Sequence, residues 1–304
     1  MLEISRLSKQ FGPLVAVDDV SFTVPAGEVL GFLAPTSGTA VICGHDILRE
    51  PLRAKRRIGY LPEGAPAYPD MSAAEFLDFI AHIRGFRGAE AKQRIAHIAE
   101  LINIAEIMDQ PIETLSKGYR RRVGVAQALL HDPDVVILDE PTDGLDPNQK
   151  HEMRGIIQRM SPEKAIIIST HLLEEVEAVC SRAIIIARGR VLADGTPAEL
   201  AARSRHHNAV RIGLPPAGSQ PTIAAELGGL PGVGSIERAS DAEGDGLWLF
   251  PRDRRPIVAE VAGLIRARGW TVTGIRAERG RLDDVFRAIT TAPPATPDPA
   301  REAA

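Results

Sequence analysis

Two adjacent carboxylates close an apolar run in this chain, Val135-Val136-Ile137-Leu138-Asp139-Glu140. Such a run reads as a buried strand, and the carboxyl end of a strand is where open α/β sheets bind ligands. The first acid there can hold Mg²⁺ through water, and the second can orient or deprotonate an attacking water. Upstream, Ser116-Lys117-Gly118 stands just ahead of a helical pattern. It places a hydroxyl and free backbone N–H groups at a positive helix terminus, a ready anion site. Taken alone, the same residues also read as a simple helix cap. Downstream, Ile166-Ile167-Ile168-Ser169-Thr170-His171 ends a second apolar run on a histidine, which serves either as a polar cap or as a group beside the same site.

The elements that position these groups follow from periodicity. Residues 1–29 alternate apolar and polar positions, predicting antiparallel strands that lead into a buried strand over 28–33. Another strand is expected over 39–47. From Ser72 to Ile107 the pattern is helical, with Phe76, Leu77, Phe79, Ile80 and Ile83 on one face and a second run from Ala91 to Ile104. A helix after Leu115, the strand 135–138, a helix from Asn148, the strand 165–169, a helix from His171 and the strand 183–187 complete the first region. Continuous apolar strands alternating with helices imply a mostly parallel sheet buried on both faces.

A composition break falls near Ala201–Asn208. Beyond it the expected order is strand 209–213, helix 222–227, strand 234–238, strand 246–250, helix 256–268 and strand 271–277, then a short helix over 282–289. That is the β-α-β-β-α-β order of a split-βαβ domain. The Pro- and Ala-rich segment from Ala292 reads as a disordered tail. The expected domains are therefore 1–203, 208–291 and the tail 292–304.

Composition narrows the partners. The 304 residues are 44% hydrophobic and 25% charged, with a formal net charge of −4, which gives no reason to expect nucleic acid as the partner. Cys43 and Cys180 lack the spacing of a metal site or a disulfide framework, and a reducing compartment fits them. The longest apolar runs are strand-sized, well short of the roughly 20 residues a membrane helix needs. The first residues lack the apolar core of a signal peptide. The expected location is cytoplasmic, with any pore supplied by another polypeptide.

In order and spacing these residues resemble the ATP-binding cassette (ABC) family over about residues 1–200. Leu115-Ser116-Lys117-Gly118-Tyr119 is similar to its signature motif and Val135–Pro141 to its Walker B strand. Gly144-Leu145-Asp146 is similar to its D-loop, and Ser169-Thr170-His171 to its switch histidine. The resemblance implies that Asp139 serves the metal, Glu140 is the catalytic base and His171 senses the γ-phosphate. It also implies that Ser116, Lys117, Gly118 and Asp146 meet nucleotide held by the opposite subunit of a homodimer, and that Phe11 stacks on adenine. Ile58–Glu63 is similar to the Q-loop, with Glu63 where the family more often has Gln; a carboxylate can reach a metal or a water but cannot donate a hydrogen bond. The helices between Ser72 and Ile107 match the helical subdomain that contacts membrane subunits. The region beyond 208 is similar to the accessory domain of drug-export and gliding-motility transporters. The implied fold is an α/β, P-loop NTPase-like ABC ATPase domain with antiparallel and helical subdomains, plus a small α+β carboxyl-terminal domain. The implied cofactors are ATP and Mg²⁺, and the implied partner is an integral-membrane transporter subunit at the inner face of the membrane.

One family element is missing from the sequence. The phosphate loop G-x-x-x-x-G-K-[ST] should follow the first buried strand, yet Gly-Lys occurs nowhere. Leu33 runs directly into Ala34-Pro35-Thr36-Ser37-Gly38, which resembles the segment after the loop and its helix, so roughly 20 residues are absent as one block. Four residues span at most about 14 Å, against about 18 Å for a 12-residue helix, so a strained junction or a shortened strand is expected. The loop's backbone amides and Lys cradle phosphates, so binding of ATP and Mg²⁺ is expected to be weak. The alternative function is a non-hydrolytic scaffold or regulatory subunit.

Overall fold

The structure, a computed structural model, describes residues 2–11, 14–30, 37–187, 190–215, 220–241 and 244–291. For 9–17 and 29–38 only backbone elements are described. The junction between Leu33 and Ala34, the expected strand beyond Leu30 and the tail 292–304 lie outside these residues. The chain divides into two units, Met1–Thr196 and Pro197–Ala304.

In the first unit, β1 (Leu2–Phe11), β2 (Leu14–Val24), β3 (Val29–Leu30), β4 (Ser37–Ile42) and β5 (His45–Asp46) are followed by α1 (Pro51–Arg56) and β6 (Ile58–Leu61). Then come α2 (Ala73–Arg84), α3 (Gly88–Leu101), α4 (Lys117–Leu129), β7 (Val135–Asp139) and α5 (Pro147–Met160). The unit closes with β8 (Ala165–Ser169), α6 (Leu173–Val179), β9 (Ala183–Ala187) and β10 (Arg190–Gly195). A parallel sheet runs β3-β8-β7-β6, an antiparallel sheet runs β2-β1-β4-β5, and β9 pairs with β10. Val135, Val136 and Leu138 of β7 are fully buried, as a strand covered on both faces requires. One core joins that sheet to the helices α2–α5, and another joins it to β1, β2 and β4.

Several boundaries move for physical reasons. The single strand expected over 39–47 breaks into β4 and β5 because Cys43 and Gly44 turn the chain with φ of 49° and 83°. β6 was hidden in sequence by Gly59 and the exposed Tyr60, and it forms by parallel pairing of Ile58–Leu61 with Val135–Leu138. It lies at the sheet edge, where the Ile58 carbonyl lies 2.9 Å from His131 Nε2 and the Tyr60 carbonyl accepts from Gln127 Nε2 at 2.9 Å. The helix begins at Ala73 as the pattern suggests, because Ser72 and Glu75 close a capping box. The helix expected from His171 starts at Leu173, since His171 and Thr170 are held by other groups.

In the second unit, α7 (Pro197–Ala201) precedes β11 (Val210–Gly213), α8 (Gln220–Gly228), β12 (Val233–Asp241), β13 (Gly244–Pro251), α9 (Val258–Arg268), β14 (Gly274–Ala277) and α10 (Leu282–Thr291). The sheet order is β12-β13-β11-β14 with every neighbour antiparallel, so β13 is inserted between the two strands joined through α8. Val210, Ile212, Leu227, Leu249 and Val261 form its core. The unit begins at Pro197, ahead of the composition break, because the buried Ser204 donates its hydroxyl to Asp284 at 2.8 Å.

Candidate functional site

β7 and β8 run parallel in a register that sets Asp139 beside Ser169. The Ser169 hydroxyl donates to the Asp139 carboxylate. The next residue, Glu140, leaves the strand with φ 47°, a left-handed conformation unfavourable for a side chain of this kind and typical of functional turns. Its backbone N–H donates to the Ser169 carbonyl at 2.9 Å, and its own carbonyl accepts from Asp143 at 3.2 Å. The turn thereby aims the Glu140 carboxylate across to β8. There Oε1 takes the His171 backbone N–H at 3.0 Å and meets the ring Nδ1 at 2.8 Å. Oε2 takes the Thr170 hydroxyl at 3.3 Å.

This contact favours the protonated form of His171. The hydrogen bond that the ring donates to Glu140, and then the negative charge of that carboxylate, push the imidazole above its ordinary value, with Asp143 and Glu63 adding to the effect. The Glu140 side chain is 17% exposed and the His171 ring 67%, so the acid is sheltered while the histidine faces solvent.

Ser116 caps α4, its hydroxyl accepting the Tyr119 N–H at 3.3 Å. Lys117 Nζ reaches Asp143 Oδ2 at 3.3 Å, which ties the start of α4 to the turn that follows Glu140. Gly118 is buried; a Cβ there would lie 2.6 Å from the side chain of Gln149. Asp146 caps α5 by accepting the Gln149 N–H at 2.9 Å, so its side chain serves the helix in this chain. Glu63 is exposed just after β6 and acts on His171 and on Arg121 through space. Phe11 ends β1, and its side chain lies outside the described residues.

Asp139, Glu140 and His171 thus meet at the carboxyl ends of the inner strands β7 and β8, with Glu63 within electrostatic reach of His171. Ser116, Lys117 and Gly118 form a neighbouring turn joined to it through Asp143. Sequence reasoning gave no role to Ser169, Thr170, Asp143 or Arg121. The parallel register of the two strand ends held the signal for the first two, because it places Ser169-Thr170 opposite Asp139-Glu140.

Among the described residues no three of His, Cys, Asp and Glu come together to hold an ion unaided. The donor set still fits Mg²⁺, which keeps several waters and takes only one or two protein carboxylates beside substrate phosphates. Asp139 would hold it in that way, supplying charge neutralisation. No helix among the described residues is long and apolar enough to cross a membrane.

The family profile described as "ABC transporter" matches residues 26–143. The chain is 30% identical over 314 residues to the Nod factor export ATP-binding protein I of Burkholderia lata, covering 95% of this chain and 96% of that one. It is 32% identical over 222 residues to the linearmycin resistance ATP-binding protein LnrL of Bacillus subtilis, covering 67% and 71%. Among solved structures, one titled "Structure of ATP binding subunit of ABC transporter" superposes with a TM-score of 0.59 at 26% identity, over 67% of this chain and 92% of that one.

Proposed function

The chain belongs to the ABC transporter family of ATP-binding proteins, and from that premise we propose that it is the energising subunit of an exporter. In this reading it couples ATP binding and hydrolysis to transport through a separate integral-membrane subunit. It works as a head-to-tail homodimer at the inner face of the membrane. The names of the two relatives, one of export and one of resistance, support the direction. The observation that carries the reading is the Glu140 carboxylate, fixed by Thr170 and His171 beside Asp139. Glu140 accepts a proton from the attacking water, His171 holds Glu140 in place, and Ser116 and Gly118 present donors to the phosphate of the opposite subunit. Bound Mg²⁺ supplies charge neutralisation to the phosphates. ATP turnover by the purified chain, abolished by Glu140→Gln, is the expected result. Unchanged turnover in that variant refutes the role of Glu140.

A second reading, a nucleotide-impaired scaffold or regulatory subunit, is favoured by the absence of any Gly-Lys in the chain. Calorimetry separates the readings. Micromolar ATP affinity supports the first, and affinity a hundredfold or more weaker supports the second, since even two lost charge-assisted hydrogen bonds are worth about 3–6 kcal/mol. Turnover regained on inserting a family-type loop and helix between Leu33 and Ala34 would also support the second.

A further inference from the structure

His171 stands two residues ahead of α6, and little within that helix holds it in place. α6 has seven residues, and its cap residue Leu172 makes no side-chain cap hydrogen bond. Isolated helices shorter than about 12–15 residues are marginal in water, so α6 takes its position from its neighbours. Its apolar Leu173, Val176 and Val179 are half-buried, while the acid Glu175 is buried at 4% exposure. A buried carboxylate is costly unless it is paired, so its partner decides where the helix sits.

That partner is Arg154 of α5. Its Nε and Nη2 donate to the two Glu175 oxygens at 2.9 and 2.8 Å, a fork-to-fork contact that fixes direction as well as distance. Lys150, one turn earlier on α5, donates to Glu174 at 2.7 Å. Desolvation offsets most of the attraction in a buried ion pair, so what such a pair supplies is geometry more than stability. Here it closes a ring of contacts. From Glu140 the turn leads to the Asp146 cap and into α5, and Arg154 of that helix binds Glu175. The Glu175 N–H donates to the Leu172 carbonyl at 3.0 Å, and the Leu172 N–H donates to the Thr170 hydroxyl at 3.1 Å. Thr170 and His171 then return to the Glu140 carboxylate. The charges that act on the His171 ring are those of Glu140, Asp143 and Glu63, so Arg154 and Glu175 reach it through position.

We propose that Arg154 and Glu175 are positioning residues for the contact between Glu140 and His171. Their bidentate pair seats α6 against α5 and so sets how closely the His171 ring meets the Glu140 carboxylate. The catalytic consequence rests on the reading of Glu140 as the base, whereas the contact itself is measured without nucleotide.

The test is an NMR titration of His171 in the full chain with labelled histidine and no nucleotide. Arg154→Lys keeps the charge but loses the planar fork. As the contact with Glu140 loosens, the His171 midpoint is expected to fall toward its ordinary value of about 6.5. Arg154→Gln removes the charge as well and is expected to lower the midpoint in the same direction. A charge acting at a distance gives the opposite sign in Arg154→Gln, since losing a nearby cation raises an imidazole. A pair that only supports the fold lowers the unfolding temperature and leaves the midpoint where it was. A folded Arg154→Lys with the parent chain's midpoint therefore overturns the assignment, and so does a raised midpoint in Arg154→Gln. If Arg154→Gln does not fold, Arg154→Lys, which keeps a cation beside Glu175, decides alone. Failure of the hydrolytic reading shows separately, as ATP turnover unchanged by Glu140→Gln, and leaves the titration result standing.

Discussion

His171 Nδ1 lies 2.8 Å from Oε1 of Glu140, and the same oxygen takes the His171 backbone N–H at 3.0 Å. The two strand ends are thereby joined through a histidine whose imidazole the Glu140 contact pushes above its ordinary value. Because Glu140 raises the folded-state pKa, the contact stabilises most below the ordinary histidine value of about 6.5. That contribution is lost as pH rises through the raised value. An NMR titration of His171 is expected to give a midpoint above 6.5, and Glu140→Gln is expected to return it toward that figure. A midpoint unmoved by the substitution would show that the ring does not sense Glu140.

His131 titrates the other way. Burial, and then the charge of Arg84, push its imidazole down to about 4. Its Nε2 lies 2.9 Å from the Ile58 carbonyl, while Nδ1 is buried without a partner. A second proton would therefore sit on an N–H with no acceptor. Between pH 6.5 and about 4 the unfolded chain takes up a proton that the folded chain refuses, so stability falls as pH falls through that window. Discounted for partial exposure, the expected loss is about 1–2 kcal/mol. His131→Gln is expected to flatten urea midpoints measured at pH values across the window.

Gly59 is fixed by packing. A Cβ there would lie 2.2 Å from the Ala128 carbonyl oxygen and 2.9 Å from Pro133 Cγ, and a backbone oxygen in α4 has nowhere to go. Gly59→Ala is expected to cost about 3 kcal/mol or more and to lower the unfolding temperature by roughly 6–12 °C. Gly263→Ala is the control. Nothing lies within 4 Å of that position in α9. Alanine there is expected to be neutral or to stabilise by up to about 1 kcal/mol.

The contrast between Asp139 and Arg121 shows what sequence can carry. Asp139 and Glu140 follow an apolar run whose length and composition define a buried parallel strand, so both the element and its active end are legible locally. His171 is legible for the same reason, and their meeting follows once β7 and β8 are neighbours. Arg121 stands in Arg120-Arg121-Arg122, a run of cations whose residue types give no sign that one of them is only 3% exposed. Its burial comes from Gly124 admitting Ala65, a contact between residues 59 apart that no local period encodes. β6 was missed likewise, since Gly59 interrupts the apolar run and its strand geometry comes from pairing with β7. Asp146 was legible as a helix cap from Asp146-Pro147 alone, and its carboxylate does cap α5.

Asp284 in the second unit provides the last prediction. Burial pushes its carboxyl up, yet hydrogen bonds from Ser204 at 2.8 Å and His206 at 2.6 Å outweigh that and hold it below the usual range. The His206 ring also stands edge-on to Trp248 at 5.3 Å between centroids, so one acid fastens the start of the unit to both α10 and the aromatic face of β13. A depressed carboxylate stabilises above its ordinary range and loses that effect as pH falls through its folded value. Asp284→Asn keeps the shape, removes the charge, and is expected to cost about 1–2 kcal/mol at neutral pH. The penalty should vanish at acid pH, where the parent chain is protonated too. Amide exchange of α10, measured for both chains across that range, checks it: α10 should exchange faster in the variant at neutral pH and alike in both chains at acid pH. An exchange difference unchanged by acid would assign the loss to shape and not to the Asp284 charge.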